Sequence, residues 1–288
     1  MLCDCHMHMI LDGVYFKAAI DGHKEHIQED LIRQRLTEYQ KLGITYLRDG
    51  GDAWNVALTA RAMAPEYGIT YVAPSFPIHR KGRYGWFIGR SYESREEYIA
   101  LLDEAQKKQA DFVKIMFSGL MDFNTAGALS CPPLDGEEMK ELTALAHQRG
   151  FAVMVHCNGD DAIANALKAG VDSIEHGNFM SRETERRLAD SGTVWCPTLA
   201  PAANIIHSGR FPQAVLQEIT DRQMDSVSRC AAMGALIAPG SDAGAWLVPH
   251  GQGSLDEYDH LRIALGSTAD AVTQRGADEV RRRFCRKQ

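Results

Sequence analysis

Six residues of metal-ligand type fall at the ends of short apolar runs: His6 and His8 in CDCHMH, Lys114 in FVKIMF, His156 in VMVH, His176 in SIEH and Asp242 in APGSD. Imidazole nitrogens and carboxylate oxygens are donors that Zn²⁺ and similar divalent ions accept. Two such ions around one water are what a binuclear hydrolase needs. An H-x-H pair alone is weak evidence, and His156 or His176 alone reads more simply as a packed histidine. Their placement at the same end of successive strands is hard to assign to packing.

Alternate strand residues face opposite sides, so Asp4, His6 and His8 are expected on one face and Cys3, Cys5 and Met7 on the other. The string C-x-C-x-H-x-H is therefore not read as a four-ligand zinc site, and the two cysteines are expected beneath helices. Lys114 stands in an apolar run, where an unpaired ammonium costs several kcal/mol. Either it pairs with a carboxylate, Asp49 being a candidate, or it loses its proton and captures CO₂ as a carbamate. Asp242 can ligate a metal, take the proton of an attacking water and pass it to a leaving group.

The elements that must position these residues recur along the chain. A helix-like stretch, a turn and a β-branched run repeat in KLGITYLRD, EYGITYVAP, KQADFVKIMF, QRGFAVMVH, KAGVDSIEH, DSGTVWCPT and AMGALIAPGSD; with the opening MLCDCHMH they give eight strand candidates. Gly43, Gly68, Gly150, Gly170, Gly192 and Gly234 sit where helices should stop in a left-handed residue. Ser94 with Glu97, and Asp135 with Glu138, have capping-box spacing. Ile27, Leu31, Ile32, Leu36 and Tyr39 share one helical face. Strict alternation implies parallel strands joined by crossover helices. Eight units in about 250 residues predict an α/β fold, a single (β/α)8 TIM barrel spanning residues 1–288. Two segments exceed ordinary loop length, residues 10–26 after the first strand and 76–93 after the third.

The 288 residues are 45% hydrophobic and 24% charged, enough for a large core, and the net charge of −7 gives no basic footprint for nucleic acid. The basic run Arg281, Arg282, Arg283, Arg286 and Lys287 reads as a solvated helix end. No apolar run approaches the roughly 18 residues of a membrane span, and no leader pattern opens the chain. A cytoplasmic enzyme with reduced cysteines is expected, since the seven at Cys3, Cys5, Cys131, Cys157, Cys196, Cys230 and Cys285 form no C-x-x-C pair.

The ordered pattern of H-x-H on the first strand, Lys on the fourth, His on the fifth and sixth and Asp on the eighth resembles the amidohydrolase superfamily in its binuclear, carboxylated-lysine form. The strings VKIMFSG, VHCNG, SIEHGNF and GSDAGAWLVPHG resemble its branch of prolidase-like and Xaa-Arg dipeptidase-like members. That resemblance implies two divalent ions, Zn foremost with Mn, Fe or Co as alternatives, one on His6, His8 and Asp242 and the other on His156 and His176. A CO₂-derived carbamate on Lys114 and a hydroxide would bridge them, about 3.5–4 Å apart. The segments from which those relatives build a small β-sandwich are expected to be missing, as in the barrel-only phosphotriesterase-like members.

The resemblance points to cleavage of an amide bond in a small N-acyl amino acid, dipeptide-like or cyclic substrate. Two alternatives stand beside it: a lactonase or phosphoester hydrolase on the same metal pair, and a metal-free binding protein on a barrel scaffold. A small-molecule substrate and a homo-oligomer are the expected partners. For the substrate, His79, Arg80, Arg83 and Tyr84 in IHRKGRYGWFIGR form either a carboxylate-clamping loop or a solvated cap. Asn158 and Asn178 follow two ligand candidates, and His250 follows the last strand. His23 and His26 are expected to face solvent, and His147, His207 and His260 have no partner pattern.

Overall fold

The computed structural model describes residues 2–285. Helices end where glycine permits a positive φ: all six predicted stops lie in the left-handed region, for example Gly43 at φ 72° and Gly170 at 77°. The strands are β1 (Leu2–Met7), β2 (Ile44–Asp49), β3 (Thr70–Val72), β4 (Pro77–Arg80), β5 (Arg90–Tyr92), β6 (Val113–Met116), β7 (Val153–Cys157), β8 (Ser173–His176), β9 (Val194–Cys196) and β10 (Leu236–Ile237). Between and after them run helices α1 (Phe16–Lys24), α2 (Glu29–Lys41), α3 (Val56–Met63), α4 (Arg95–Lys107), α5 (Gly136–Gln148), α6 (Asp160–Ala169), α7 (Arg182–Ser191), α8 (Ala200–Ala203), α9 (Gln213–Ala232), α10 (Gln252–Leu265) and α11 (Ala269–Phe284).

All strand pairs are parallel, in the orders β1-β2-β3 and β10-β9-β8-β7-β6-β4-β5. Two seams join these sheets into a TIM-barrel fold. At one, Cys5 N donates to Pro239 O (2.8 Å) and Asp242 N to His6 O (2.7 Å). At the other, Asp111 N donates to Ala73 O (3.0 Å). The third barrel strand is broken: β3 pairs with β2, and its continuation β4 pairs with β6. The segment 76–93, expected as a loop, thus carries β4 and β5, and the segment 10–26 carries α1. Glycine, arginine and aromatic residues hid those elements from a periodicity reading.

The barrel interior is layered. Its lower layer holds Cys3, Cys5, Tyr46, Phe112, Met154 and Cys196, closed from below by Val280 and Phe284 of α11. Phe284 meets Phe112 edge to face at 5.2 Å. The register of β1 against β2 slips between Leu2 and Cys3 and again between Asp4 and Met7. That irregularity breaks the alternation expected for β1 at Asp4, whereas Cys3 and Cys5 share a face as expected, their sulfurs 3.9 Å apart inside the barrel, with Cys3 also reaching the Tyr258 hydroxyl of α10. Asp4 does not join the histidines; its carboxylate accepts from the hydroxyls of Ser241 and Ser254. His23 is buried rather than solvent-facing, with Nδ1 accepting from Gln28 N (3.1 Å). His26 is exposed.

Ser94 and Asp135 cap α4 and α5 as their spacing predicts. Arg281 and Arg282 pair with Asp278 and Glu279 on α11, whereas Arg286 and Lys287 lie outside the described residues. All seven cysteines are free, and no described helix is long and apolar enough to cross a membrane.

Gly276 shows how closely α11 seats. A Cβ there would stand 2.0 Å from Ile237 O and 2.7 Å from Ala238 N. Alanine in a helix interior ordinarily gains about 1 kcal/mol over glycine, but here the backbone of β10 occupies the space. Gly276→Ala is expected to destabilise the fold by about 1–3 kcal/mol, as overpacking does, read by denaturant unfolding; a gain in stability would contradict this packing.

Candidate metal centre

The carboxyl ends of β1, β6, β7, β8 and β10 deliver the six candidate residues to one place. His6 Nε2 and His8 Nε2 each lie 3.4 Å from Asp242 Oδ1. The three side chains offer donor atoms all within 4.8 Å of one another. Lys114 Nζ stands 3.3 Å from His6 Nε2 and 3.4 Å from His8 Nε2. The His176 ring is 4.6 Å from that of His156 and 5.0 Å from that of His6, centroid to centroid. Asp49, the alternative partner for Lys114, is taken up instead by Met9 N (2.9 Å), Gly51 N (2.5 Å) and the Tyr71 hydroxyl.

Second partners fix which nitrogen each imidazole presents. His6 Nδ1 is 2.6 Å from Glu175 Oε2, and His176 Nδ1 is 2.7 Å from Thr198 Oγ1, so both turn Nε2 toward the cluster. His156 Nε2 donates to Gly119 O (3.1 Å), leaving Nδ1 as its free acceptor. His8 Nδ1 is buried without a partner. Close approach is secured by Gly50, where a Cβ would stand 2.2 Å from His8 Cε1 and 2.7 Å from Lys114 Nζ.

The donor set fits a divalent cation: three convergent imidazole and carboxylate donors, with further imidazoles and an amine against them. Its electrostatics agree. Burial keeps His6, His8 and His176 well below the ordinary imidazole range and holds His156 down at about 3, so all four are neutral lone-pair donors. Burial also pushes the Lys114 ammonium down to about 8 and the Asp242 carboxyl up to about 7.

Above the cluster opens a cavity of about 440 Å³, with His8, Lys114, His156, His176 and Asp242 in its lining and Tyr15, Phe16, Trp86, Phe123, Phe211 and Trp246 among its walls. Of the substrate candidates, Tyr84, Asn158 and Asn178 line it. Tyr84 packs on His156 at 4.6 Å, and Asn158 Oδ1 accepts from Asn178 N and Nδ2, both at 3.0 Å. The others are held elsewhere. Arg80 pairs with Glu138, Arg83 reaches Pro132 O (3.4 Å), and buried His79 bonds Arg80 O (3.0 Å). His250 bridges the Tyr39 hydroxyl (3.0 Å) and Leu11 O (2.8 Å). His147 pairs with Asp172, and His207 is exposed. Sequence reading missed Glu175 and Thr198, which orient two of the imidazoles. Glu175 precedes a ligand candidate, which was the available signal.

Over residues 2–283 the sequence matches the Amidohydrolase family. An uncharacterized protein of Mycobacterium tuberculosis is 28% identical over 157 residues, 52% of this chain and 42% of its own length. Ochratoxinase of Aspergillus niger is 26% identical over 144 residues, 47% of this chain and 29% of its own. The matched stretch thus spans less than half the length of these curated relatives. Among solved structures, a Xaa-Pro dipeptidase with bound methionine superposes with TM-score 0.77 at 23% identity, covering 97% of this chain and 75% of that one. Ochratoxinase of A. niger gives 0.76 at 20%, covering 97% and 71%. These likenesses show the fold.

Thr198→Val removes the partner of His176 Nδ1 with little change of shape. It is expected to weaken zinc affinity about 10–100-fold with little change in melting temperature, measured by competition with a chromogenic chelator; unchanged affinity would show that Thr198 does not orient a ligand.

Proposed function

The chain belongs to the amidohydrolase family, and from that premise we propose that it is a divalent-metal-dependent hydrolase of the amide bond in a small N-acyl amino acid, dipeptide-like or cyclic amide substrate. The observation that carries this reading is the meeting of His6, His8 and Asp242 within 4.8 Å, against Lys114, at the cavity's closed end. His6, His8 and Asp242 would hold one ion, and His156 and His176 a second. Bound there, a divalent pair polarises the scissile carbonyl and makes hydroxide available near neutral pH.

The chain's own groups do the rest. Asp242, with Oδ1 3.4 Å from both His6 Nε2 and His8 Nε2, would accept the proton of the attacking water at Oδ and return it to the leaving nitrogen. Lys114, its ammonium depressed by burial, presents a neutral amine to CO₂. The new N–C bond forms with loss of one proton from nitrogen, and the carbamate supplies two further oxygen donors. Tyr84, Asn158 and Asn178 line the space where substrate would lie, beside the aromatic wall. Seven free cysteines suit a reducing compartment such as the cytoplasm.

Asp242→Asn or His156→Ala is expected to lower kcat/KM at least about 10³-fold while the far-ultraviolet circular dichroism spectrum is retained. Lys114→Ala should lose activity and regain part of it with a short-chain carboxylic acid. Full activity in any of the three contradicts the assignment. A substrate panel of N-acyl amino acids, lactones and aryl phosphotriesters separates amide cleavage from the alternatives on the same centre.

The pH dependence of metal uptake follows from the same groups. The imidazoles are already neutral far below pH 6.5, so Asp242 is the donor that protons block. Uptake requires its ionised form and is opposed by the proton on Lys114, so it should fall as the pH drops through about 7 and reach its full value only above about 8. Equilibrium dialysis against zinc and bicarbonate should give about two ions per chain at alkaline pH; a single ion at every pH would argue against a carbamate bridge at Lys114.

A further inference from the structure

Two buried guanidiniums of this fold are treated differently by their surroundings. Arg48 has a Glu175 carboxylate oxygen at 2.9 Å. Arg35 of α2 is only 6% exposed. Among the described residues no carboxylate oxygen comes within 4.0 Å of it, and its Nη1 donates to the backbone carbonyl of Met9. The acids whose charge reaches it are committed elsewhere. Asp12 Oδ1 accepts from Val14 N and Tyr15 N, both at 2.8 Å, and Asp49 accepts from Met9 N, Gly51 N and the Tyr71 hydroxyl. Burial therefore prevails at Arg35 and holds it below the ordinary guanidinium range, whereas the adjacent carboxylate holds Arg48 above it. A cation withdrawn from water in this way is costly unless a negative charge joins it.

A second buried donor lies within reach of that charge, on α1. His23 is 2% exposed, and its Nδ1 accepts from Gln28 N at 3.1 Å. A backbone amide can only donate. Burial first, and then the charge of Arg35, lowers the imidazole's affinity for a second proton, so the neutral ring carries its hydrogen on Nε2. That Nε2 is buried and has no acceptor among the described residues. A donor left so is a penalty that an acceptor would remove. His23 and Ile20 are the two buried residues of α1, the helix that opens with the cavity residue Phe16. Neither Arg35 nor His23 lines that cavity.

We propose that Arg35 and His23 bind a small monovalent anion, of the size of chloride, between α1 and α2. One guanidinium balances one negative charge, and a dianion would leave a surplus in a poorly polarisable interior. The imidazole N–H supplies the second donor. A water molecule would satisfy that N–H but leave the charge of Arg35 without compensation. Bound there, the anion fastens α1 to α2 and, through the bond from Arg35 to Met9, to the residue that follows His8. The site lies outside the substrate cavity and does not depend on which bond the metal centre cleaves.

The test uses the full chain. Thermal unfolding is followed at constant ionic strength while potassium chloride replaces potassium gluconate, whose anion is too large for such a site. The wild type is expected to gain about 2–4 °C in Tm for each tenfold increase in chloride above the dissociation constant. His23→Phe removes the donor with little change of shape, and Arg35→Met removes the charge. Both should melt at temperatures independent of chloride, and either one alone carries the reading if the other does not fold. Crystals grown in sodium bromide should show an anomalous peak between the Arg35 guanidinium and His23 Nε2.

A wild type whose Tm is the same in chloride and gluconate overturns the proposal and leaves water as the partner of His23. A chloride response kept in both variants overturns it as well, since the anion would then act at the metal centre or the surface. So does a bromide crystal with no peak beside Arg35. Loss of the response in the variants together with the peak establishes the site, whatever the outcome of the substrate panel.

Discussion

A buried ion pair between Arg48 of β2 and Glu175 of β8 underlies the site. Both side chains are fully withdrawn from solvent, and Arg48 Nη2 donates to Glu175 Oε1 at 2.9 Å. Burial alone would lower the guanidinium's affinity for its proton, but the adjacent carboxylate more than offsets this and holds it above its ordinary value. Such pairs survive when their remaining donors are satisfied. Here Nε donates to Cys5 O (2.6 Å), Nη1 to Ser173 Oγ (2.8 Å), and the guanidinium stacks on Phe284 at 4.4 Å. The pair therefore joins β1, β2, β8 and α11 through the middle of the barrel. Its other carboxylate oxygen meets His6 Nδ1, which places the proton there and the lone pair on Nε2. The lower core sets the chemistry of the upper one.

Strain is concentrated at the same level. His176, Thr198 and Asp242 take positive φ values of 68°, 51° and 56°, a conformation costing about 1–3 kcal/mol for residues other than glycine. Packing and hydrogen bonds hold them there. The His176 carbonyl accepts from Trp195 Nε1 (2.9 Å) and Gln223 Nε2 (3.0 Å), while the Asp242 amide is fixed to the carbonyl of His6. Each strand end thus turns its side chain over the barrel mouth instead of continuing in extended form. Glycine appears where a partner must come near: at Gly240 a Cβ would stand 2.8 Å from that of His6.

Much of this was readable in the chain because parallel barrels are local in sequence. Each β-branched run after a glycine became a strand, and a ligand-type residue at its end had to lie at the barrel mouth. What stayed hidden depended on contacts between distant segments. The β1 irregularity that moves Asp4 to Ser241 and Ser254 has no local signal, since only the opposing strand and α10 create it. The ties of His250 to α2 and the β1 loop, and of Arg80 to α5, are likewise set by packing, so residues close in sequence to Tyr84 or Asp242 end outside the cavity. His23 looked polar in GHKEH but is covered by its own loop.

The cluster's charge balance shows why an amine belongs among imidazoles. With four neutral histidines, the centre carries only the opposed tendencies of Asp242 and Lys114, one shifted toward its neutral acid and the other toward its neutral base. A proton on Lys114 would repel any incoming cation at short range in a poorly polarisable interior. Lys114 therefore gives up that proton more readily beside a cation, and the neutral amine is also the form that reacts with CO₂. Conversion to a carbamate would replace a positive charge with a negative one where any bound cation would need compensation. Asp242 moves in the same sense, ionising as positive charge arrives. The two groups that burial leaves closest to neutrality are thus the two whose proton loss favours filling the centre.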